Sequence, residues 1–300
     1  MKKLRLITVL IALSVALSSG FAKKRVADHV ILIGLDGWGA YSVEKAEMPN
    51  VKALMKEGCY TLKKRSVLPS SSAVNWASMF MGAGPELHGY TDWGSQSPEL
   101  PSRELNSNGI FPTVFQLLHD ADPKAEIGCL YEWDGIKYLV DTLSVNYHKQ
   151  AKGYDKDPEI LSRMACEYIK DNKPQLLAVC FDNPDHVGHE TGHDTPAYYK
   201  KLKELDGYIG EITDAVKDAG MCGNTIVIVT ADHGGIAKGH GGKTMAEMET
   251  PFIIAGKGIK RGGEFKESMM QFDCASTIAY IFNLEQPQVW IGRPMKQVFK

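Results

Sequence analysis

Apolar residues fall in short unbroken runs at residues 28–35, 126–131, 175–181, 225–229 and 251–255. These runs are too short for helices, and most are rich in β-branched side chains. They predict strands buried on both faces, as in a parallel sheet. Between them the apolar residues recur at helical spacing. Val51, Leu54 and Met55 mark a helix over 49–57, and Leu202, Leu205, Ile209 and Ile212 mark a long one over 196–219. Further helices are expected from Val74 to about Met81, over 111–119 and 158–171, and from about 270 to 282, with a second extended segment over 59–68. Strand and helix alternate throughout, without internal repeat or break in composition. The expected fold is therefore a single α/β domain over 23–300, with a central, mostly parallel sheet flanked by helices. Residues 91–110 are rich in Ser, Pro, Gly and Asn and lack periodicity, which predicts a long loop over the site. A loop-rich lid is expected over about 91–157.

The first 22 residues break this pattern. A basic start with Lys2, Lys3 and Arg5, an apolar middle and the small-residue end SerGlyPheAla read as a secretory signal peptide cut after Ala22. The expected location is periplasmic or secreted, with no permanent membrane span. Cleavage would take the formal net charge from −2 to about −5. That mildly acidic surface argues against a nucleic-acid grip, which rests on neutralising phosphates. None of the six cysteines has CxxC spacing, so neither a cysteine zinc site nor thioredoxin-like redox chemistry is indicated. Cys129 and Cys180, inside apolar runs, are expected to be small buried side chains.

Candidate chemistry gathers where the predicted strands end, which is where ligands bind in open α/β sheets. The run over 225–229 leads into Thr230, Ala231, Asp232, His233, Gly234 and Gly235. Asp232 and His233 offer oxygen and nitrogen to a zinc-like ion, although most such pairs are solvated loop residues. Asp36 ends the first run, as either a metal carboxylate or part of an AspGly turn. The run over 175–181 opens onto the ligand-dense residues 182–193. Ser70, Ser71 and Ser72 stand at a predicted helix start, where a hydroxyl usually caps free N–H groups. The same N-terminus also favours an anion, so one serine is a candidate nucleophile. Trp76, Tyr90 and Trp93 are read first as packing and only second as a clamp on a flat substrate group. Lys243 is read first as a solvated loop lysine.

His189, Glu190 and His193 literally match HExxH, the zinc-metallopeptidase signature. That chemistry needs both histidines on one helix face. Pro184, Gly188, Gly192 and Pro196 around the match oppose a stable helix, so this reading ranks low.

Taken together, LeuAspGly at 35–37, Ser72 three residues before Asn75, the ProAspxxGlyHis pattern at 184–189 and AspHisGlyGly at 232–235 resemble the alkaline phosphatase superfamily, and within it the type I phosphodiesterase/nucleotide pyrophosphatase family. The motifs run in the family's order over almost the whole chain after residue 22. The resemblance implies an alkaline phosphatase-like sheet, two Zn2+ ions and a small phosphoester substrate. By position, Asp36, Asp232 and His233 would hold the ion that also meets Ser72. Asp185 and His189 would hold the other, with a later histidine, and His240 is the only histidine after His233. Ser72 would be the nucleophile, forming a phosphoseryl intermediate, and Asn75 would donate to a non-bridging phosphoryl oxygen. The chain departs from the family's ThrPheProAsnHis in having Ser72 for Thr and Trp76 for His, which puts substrate preference in doubt.

Phosphomonoesterase, phosphonate hydrolase and sulfatase are the alternatives within the superfamily. The CxPxR-like motif that sulfatases modify to formylglycine is missing at residues 70–74. From another class, the fold could serve as a non-catalytic glycan- or lipid-binding module. Against this stands the joint presence of every proposed ligand and the hydroxyl.

Overall fold

The computed structural model describes residues 25–300, so the leader expected at 1–22 lies outside the described residues. In chain order the elements are β1 (His29–Leu35), α1 (Pro49–Glu57), β2 (Cys59–Arg65), α2 (Ser72–Met81), α3 (Pro85–His88), α4 (Val114–Ala121), β3 (Ile127–Tyr131) and β4 (Tyr147–Gln150). There follow α5 (Ile160–Asn172), β5 (Leu176–Phe181), α6 (Asp185–Thr191), α7 (Pro196–Asp218), β6 (Thr225–Thr230), α8 (Met245–Met248), β7 (Glu249–Gly256), β8 (Gly263–Glu264) and α9 (Asp273–Phe282). The strands form one eight-stranded sheet in the order β4-β3-β5-β1-β6-β7-β2-β8. Only β7 runs against its neighbours β6 and β2; the remaining pairings are parallel. Among the described residues no helix is long and apolar enough to cross a membrane.

Strand alternation divides the core into two layers. From β1, Val30 and Leu32 pack with α2, α4 and α9 on one face. Ile31, Ile33 and Leu35 pack with α1, α5 and α7 on the other. A strand buried on both sides has no polar face to show water, which is why these runs are apolar at every position. Gly34 is the exception that the packing explains. A Cβ there would lie 2.2 Å from the Trp76 ring, which lies across the strand.

Two expectations need correction. The stretch 91–157 is not a lid insertion as a whole, because β3 and β4 within it pair into the central sheet. Its apolar 126–131 run finds a strand-long partner in β5, whereas 91–113 contains no regular helix or strand. Residues 185–191 are also helical despite their glycine and flanking proline, since tertiary packing of α6 against α7 overrides weak propensity.

Behind the strand ends lies a buried polar node. Lys64 of β2 is fully buried, and its ammonium donates to the carbonyl of Ala231 at 2.6 Å and to the Gln271 side chain. Gln271 donates in turn to the carbonyls of Asn75 at 3.2 Å and Ala231 at 3.3 Å. One amide and one ammonium thus tie α2 to the end of β6. Burial lowers the Lys64 pKa to about 8, which leaves it protonated at neutral pH. Lys64→Met keeps the stem and removes the donors, stranding buried acceptors. It is expected to lower unfolding free energy by about 2–4 kcal/mol in urea titrations.

Candidate metal and nucleophile site

β5, β1 and β6 are adjacent, and their carboxyl ends are level. Leu35 pairs with Phe181, and Gly34 pairs with Thr230. Asp36, Asp185, Asp232 and His233 therefore emerge side by side although nearly 200 residues separate the first from the last. Asp185 is drawn in further by its N–H, which donates to the Asp36 carbonyl at 3.0 Å. The N-terminus of α2 brings Ser72 to the same rim, and the 236–240 turn brings His240.

Two groups of ligand atoms form there. Asp36, Asp185 and His233 make one, and Asp185, His189 and His240 the other. In the first, His233 Nε2 lies 3.3 Å from Asp36 Oδ1 and 3.2 Å from Asp232 Oδ2. Ser72 Oγ is 3.2 Å from His233 Nε2 and 3.4 Å from Asp36 Oδ1. In the second, His189 Nε2 lies 3.0 Å from Asp185 Oδ2, and His240 Nε2 lies 3.6 Å from the same oxygen. All seven residues predicted to touch metal are thus brought together.

The outer contacts orient the rings. Nδ1 of His233 meets the Gly234 carbonyl at 2.8 Å, that of His240 the Ser70 carbonyl at 3.1 Å, and that of His189 the Lys238 carbonyl at 3.0 Å. A backbone carbonyl on Nδ1 claims its hydrogen and aims Nε2 into the site, as is usual for metal-binding histidines. Trp76 does the same for a carboxylate. Its Nε1 donates to Asp36 Oδ2 at 2.9 Å. Sequence reasoning treated Trp76 as packing, yet a buried indole N–H must find an acceptor, and that requirement was the available signal.

Asn75 is a correction. It is fully buried, and its Oδ1 accepts from Val67 N at 2.7 Å while Nδ2 donates to the carbonyls of Val67, Pro69 and Ser71. A side chain so occupied is not placed to hold a phosphoryl oxygen. It folds the 67–71 approach onto the start of α2 instead. Tyr90 is buried packing, with its hydroxyl on the Tyr138 carbonyl. Trp93 is 63% exposed and lines a cavity of about 580 Å³ with His189 and His240, while its carbonyl accepts from Ala73 N at 3.1 Å. Lys243 is exposed. The HExxH match fails geometrically, because α6 stops at Thr191 and Gly192 takes a φ of +99°, so His193 lies beyond the helix that carries His189.

The electrostatics test whether a cation fits. Burial, then the charges of Asp232 and Asp185, raise the Asp36 pKa well above its ordinary value. Burial raises Asp232 to about 7 and lowers His233. Burial, then neighbouring His233, lowers His240 to about 4. Burial also opposes ionisation of Asp185, but hydrogen bonds with His189 and His193 outweigh it and hold this carboxyl well below the usual range. Asp232 Oδ2 is buried without a hydrogen-bond partner. Crowded carboxylates and a neutral imidazole nitrogen converging on one point are what a divalent cation satisfies.

The hydrogen bond to Asp185 raises His189 to about 9, so protons compete with metal at both groups. Asp232 and His189 must release their protons for a cation to bind. Metal affinity is therefore expected to rise from pH 6 through about 9, with net proton release. Calorimetric titration in buffers of different ionisation enthalpy measures both.

Residues 30–252 match the family profile described as type I phosphodiesterase/nucleotide pyrophosphatase. Venom phosphodiesterase 2 of Crotalus adamanteus is 25% identical over 216 residues, which cover 68% of this chain and 26% of the relative. The chain thus spans about a quarter of the length of that curated relative. Murine ectonucleotide pyrophosphatase/phosphodiesterase 5, solved as an inactive variant in complex with AMP, superposes with TM-score 0.72 at 17% identity, covering 87% of this chain and 96% of that one. A 2-O GAG sulfatase superposes with TM-score 0.72 at 16% identity, covering 90% and 73%.

Proposed function

The chain belongs to the type I phosphodiesterase/nucleotide pyrophosphatase family, and from that premise we propose that it hydrolyses phosphoesters, diesters foremost, with two zinc ions and Ser72 as nucleophile. The observation that carries this reading is the placement of Ser72 Oγ within 3.2–3.4 Å of His233 Nε2 and Asp36 Oδ1, beside a second ligand group. The donor set supports zinc, being mixed carboxylate and imidazole without thiolate. Asp36, Asp232, His233 and Ser72 would hold one ion, and Asp185, His189 and His240 the other. Bound there, the pair would neutralise the phosphoryl group and lower the pKa of the serine hydroxyl and of an attacking water.

The chain's own residues supply alignment. Ser72 is the first residue of α2, so its hydroxyl stands where free N–H groups and the helix dipole favour an anion. Its hydrogen can be given to Asp36 Oδ1, at 3.4 Å, whose oxygen keeps a lone pair beyond the one an ion would take, and this turns an Oγ lone pair towards the substrate. Attack on phosphorus breaks the ester bond to the leaving alcohol and forms a phosphoseryl intermediate. Water then hydrolyses that intermediate and restores the hydroxyl. Asn75 acts by holding the approach to α2 in place. Trp93 forms one wall beside His189 and His240 and is available to a flat leaving or retained group. The AMP complex of the murine relative favours a nucleotide-like ester. The leader expected at 1–22 directs the protein to the periplasm or the exterior.

Initial rates on a bis-aryl phosphate, an aryl phosphate and an aryl sulfate test the assignment, together with metal content. Highest kcat/KM on the diester with two zinc ions per chain is the expected result. Preference for the sulfate, or no hydrolysis after zinc addition, would contradict it.

A further inference from the structure

His193 completes the metallopeptidase-like match, yet the proposed reaction leaves it unused. Its side chain is 0% exposed. The space it fills is built for it. A Cβ on Gly188 would lie 2.4 Å from the ring and one on Gly235 2.2 Å from it, so glycine at both positions is what admits the imidazole. Tyr198 packs on it at a ring separation of 5.4 Å. Ala237 anchors it, its carbonyl accepting from the His193 backbone N–H at 2.6 Å and lying 3.1 Å from Nδ1. What remains is Nε2, and it meets Asp185 Oδ1 at 3.2 Å.

Asp185 is the one carboxylate common to both ligand groups. Its two oxygens are used differently. Oδ2 faces His189 and His240, at 3.0 and 3.6 Å, whereas Oδ1 faces His193. We propose that His193 is a positioning residue, whose Nε2–H occupies Asp185 Oδ1 and so commits Oδ2 to the ion held with His189 and His240. A carboxylate with one oxygen engaged in this way would offer the other to that ion in preference to the Asp36 and His233 group. The enclosed ring, the two glycines and the backbone N–H held by the Ala237 carbonyl fix the direction of Nε2, which a loose surface histidine would not do. The inference rests on the two-ion reading of the site.

Zinc titration of the stripped full-length protein against a competing chelator separates the possibilities. His193→Phe keeps a ring in the pocket and removes the donor. His193→Gln returns a donor at the Nε2 position, and His193→Asn leaves one only near Nδ1. In the Phe and Asn variants one of the two ions is expected to bind about 10–100-fold more weakly and the other unchanged, while Gln stays within about threefold of the parent. Both ions binding the Phe variant as tightly as the parent would overturn the proposal. If the Phe variant does not fold, the Gln and Asn pair decides, and equal impairment of the two overturns it. A parent protein that binds no pair of ions would overturn the two-ion reading itself, and that failure is visible before any variant is made.

Discussion

Replacing Ser72 by alanine is expected to lower kcat for a diester by a factor on the order of 10⁴ or more, the range seen when a covalent nucleophile is removed. The hydroxyl lies within reach of His233 Nε2 and Asp36 Oδ1 and can attack phosphorus, and its removal leaves alignment and charge neutralisation without this covalent route. The fold should tolerate the change, since alanine is a good helix former at the first position of α2 and the Ser72 hydroxyl meets Asp36 and His233 rather than the helix backbone. Single-turnover assays with a radiolabelled phosphoryl group add a second readout: label on the protein in the parent and none in the variant. Near-parental hydrolysis by a zinc-loaded Ser72→Ala protein would remove Ser72 from the mechanism.

Asp36→Asn is expected to act in opposite directions with and without metal. Asp36 sits among buried carboxylates, and in the ion-free chain its pKa is raised, first by burial and then by Asp232 and Asp185. A carboxyl raised on folding carries a proton that the unfolded chain has already lost. The ion-free fold therefore loses stability as pH climbs from the ordinary carboxylate range towards the raised value. Asparagine has the same shape, retains an oxygen for Trp76 Nε1 and removes that loss. The chelator-treated variant should accordingly melt at or above the parent at pH 7. With zinc the order should reverse, because the variant loses a charged ligand and with it the stabilisation that binding confers on the folded state. Affinity at this group should fall by more than the roughly 10–100-fold typical when a group that only orients a ligand is lost, and kcat/KM by about 10³-fold. Scanning calorimetry with chelator and with zinc measures the crossing; a variant less stable than the parent in both would count against a crowded, cation-dependent cluster.

Much of this was legible along the chain because burial on both faces of a parallel sheet leaves a one-dimensional trace. The strands β1, β3, β5, β6 and β7 announced themselves as unbroken apolar runs, and α1 and α7 by helical spacing. The ligand residues were legible for a related reason, since each stands immediately after such a run or in a glycine-bearing turn that follows one. β4 was not readable. It is a four-residue edge strand, YHKQ, with no buried face to pattern its sequence. α6 was misread because its helix comes from packing on α7 rather than from its own residues.

Asn75, Trp76 and His193 mark the limit of such reading. Asn75 was assigned to substrate from a motif, but a buried amide must satisfy its own donors and acceptor, and the nearest partners are the backbone groups of 67–71. The sequence signals at Trp76 and His193, a departure from a family motif and an HExxH match, point to other roles than the ones the structure shows, because their value lies in which oxygen of Asp36 or Asp185 they touch. Local pattern alone determined which residues could be strands, which helices, and which side chains would stand at the strand ends. Tertiary structure alone decided strand order, the antiparallel β7, and which carboxylate oxygen each donor claims, since these depend on contacts between residues as far apart as Gly37 and Asp232. Apolar burial leaves its mark on every residue of an element, whereas a single hydrogen bond across the fold leaves none.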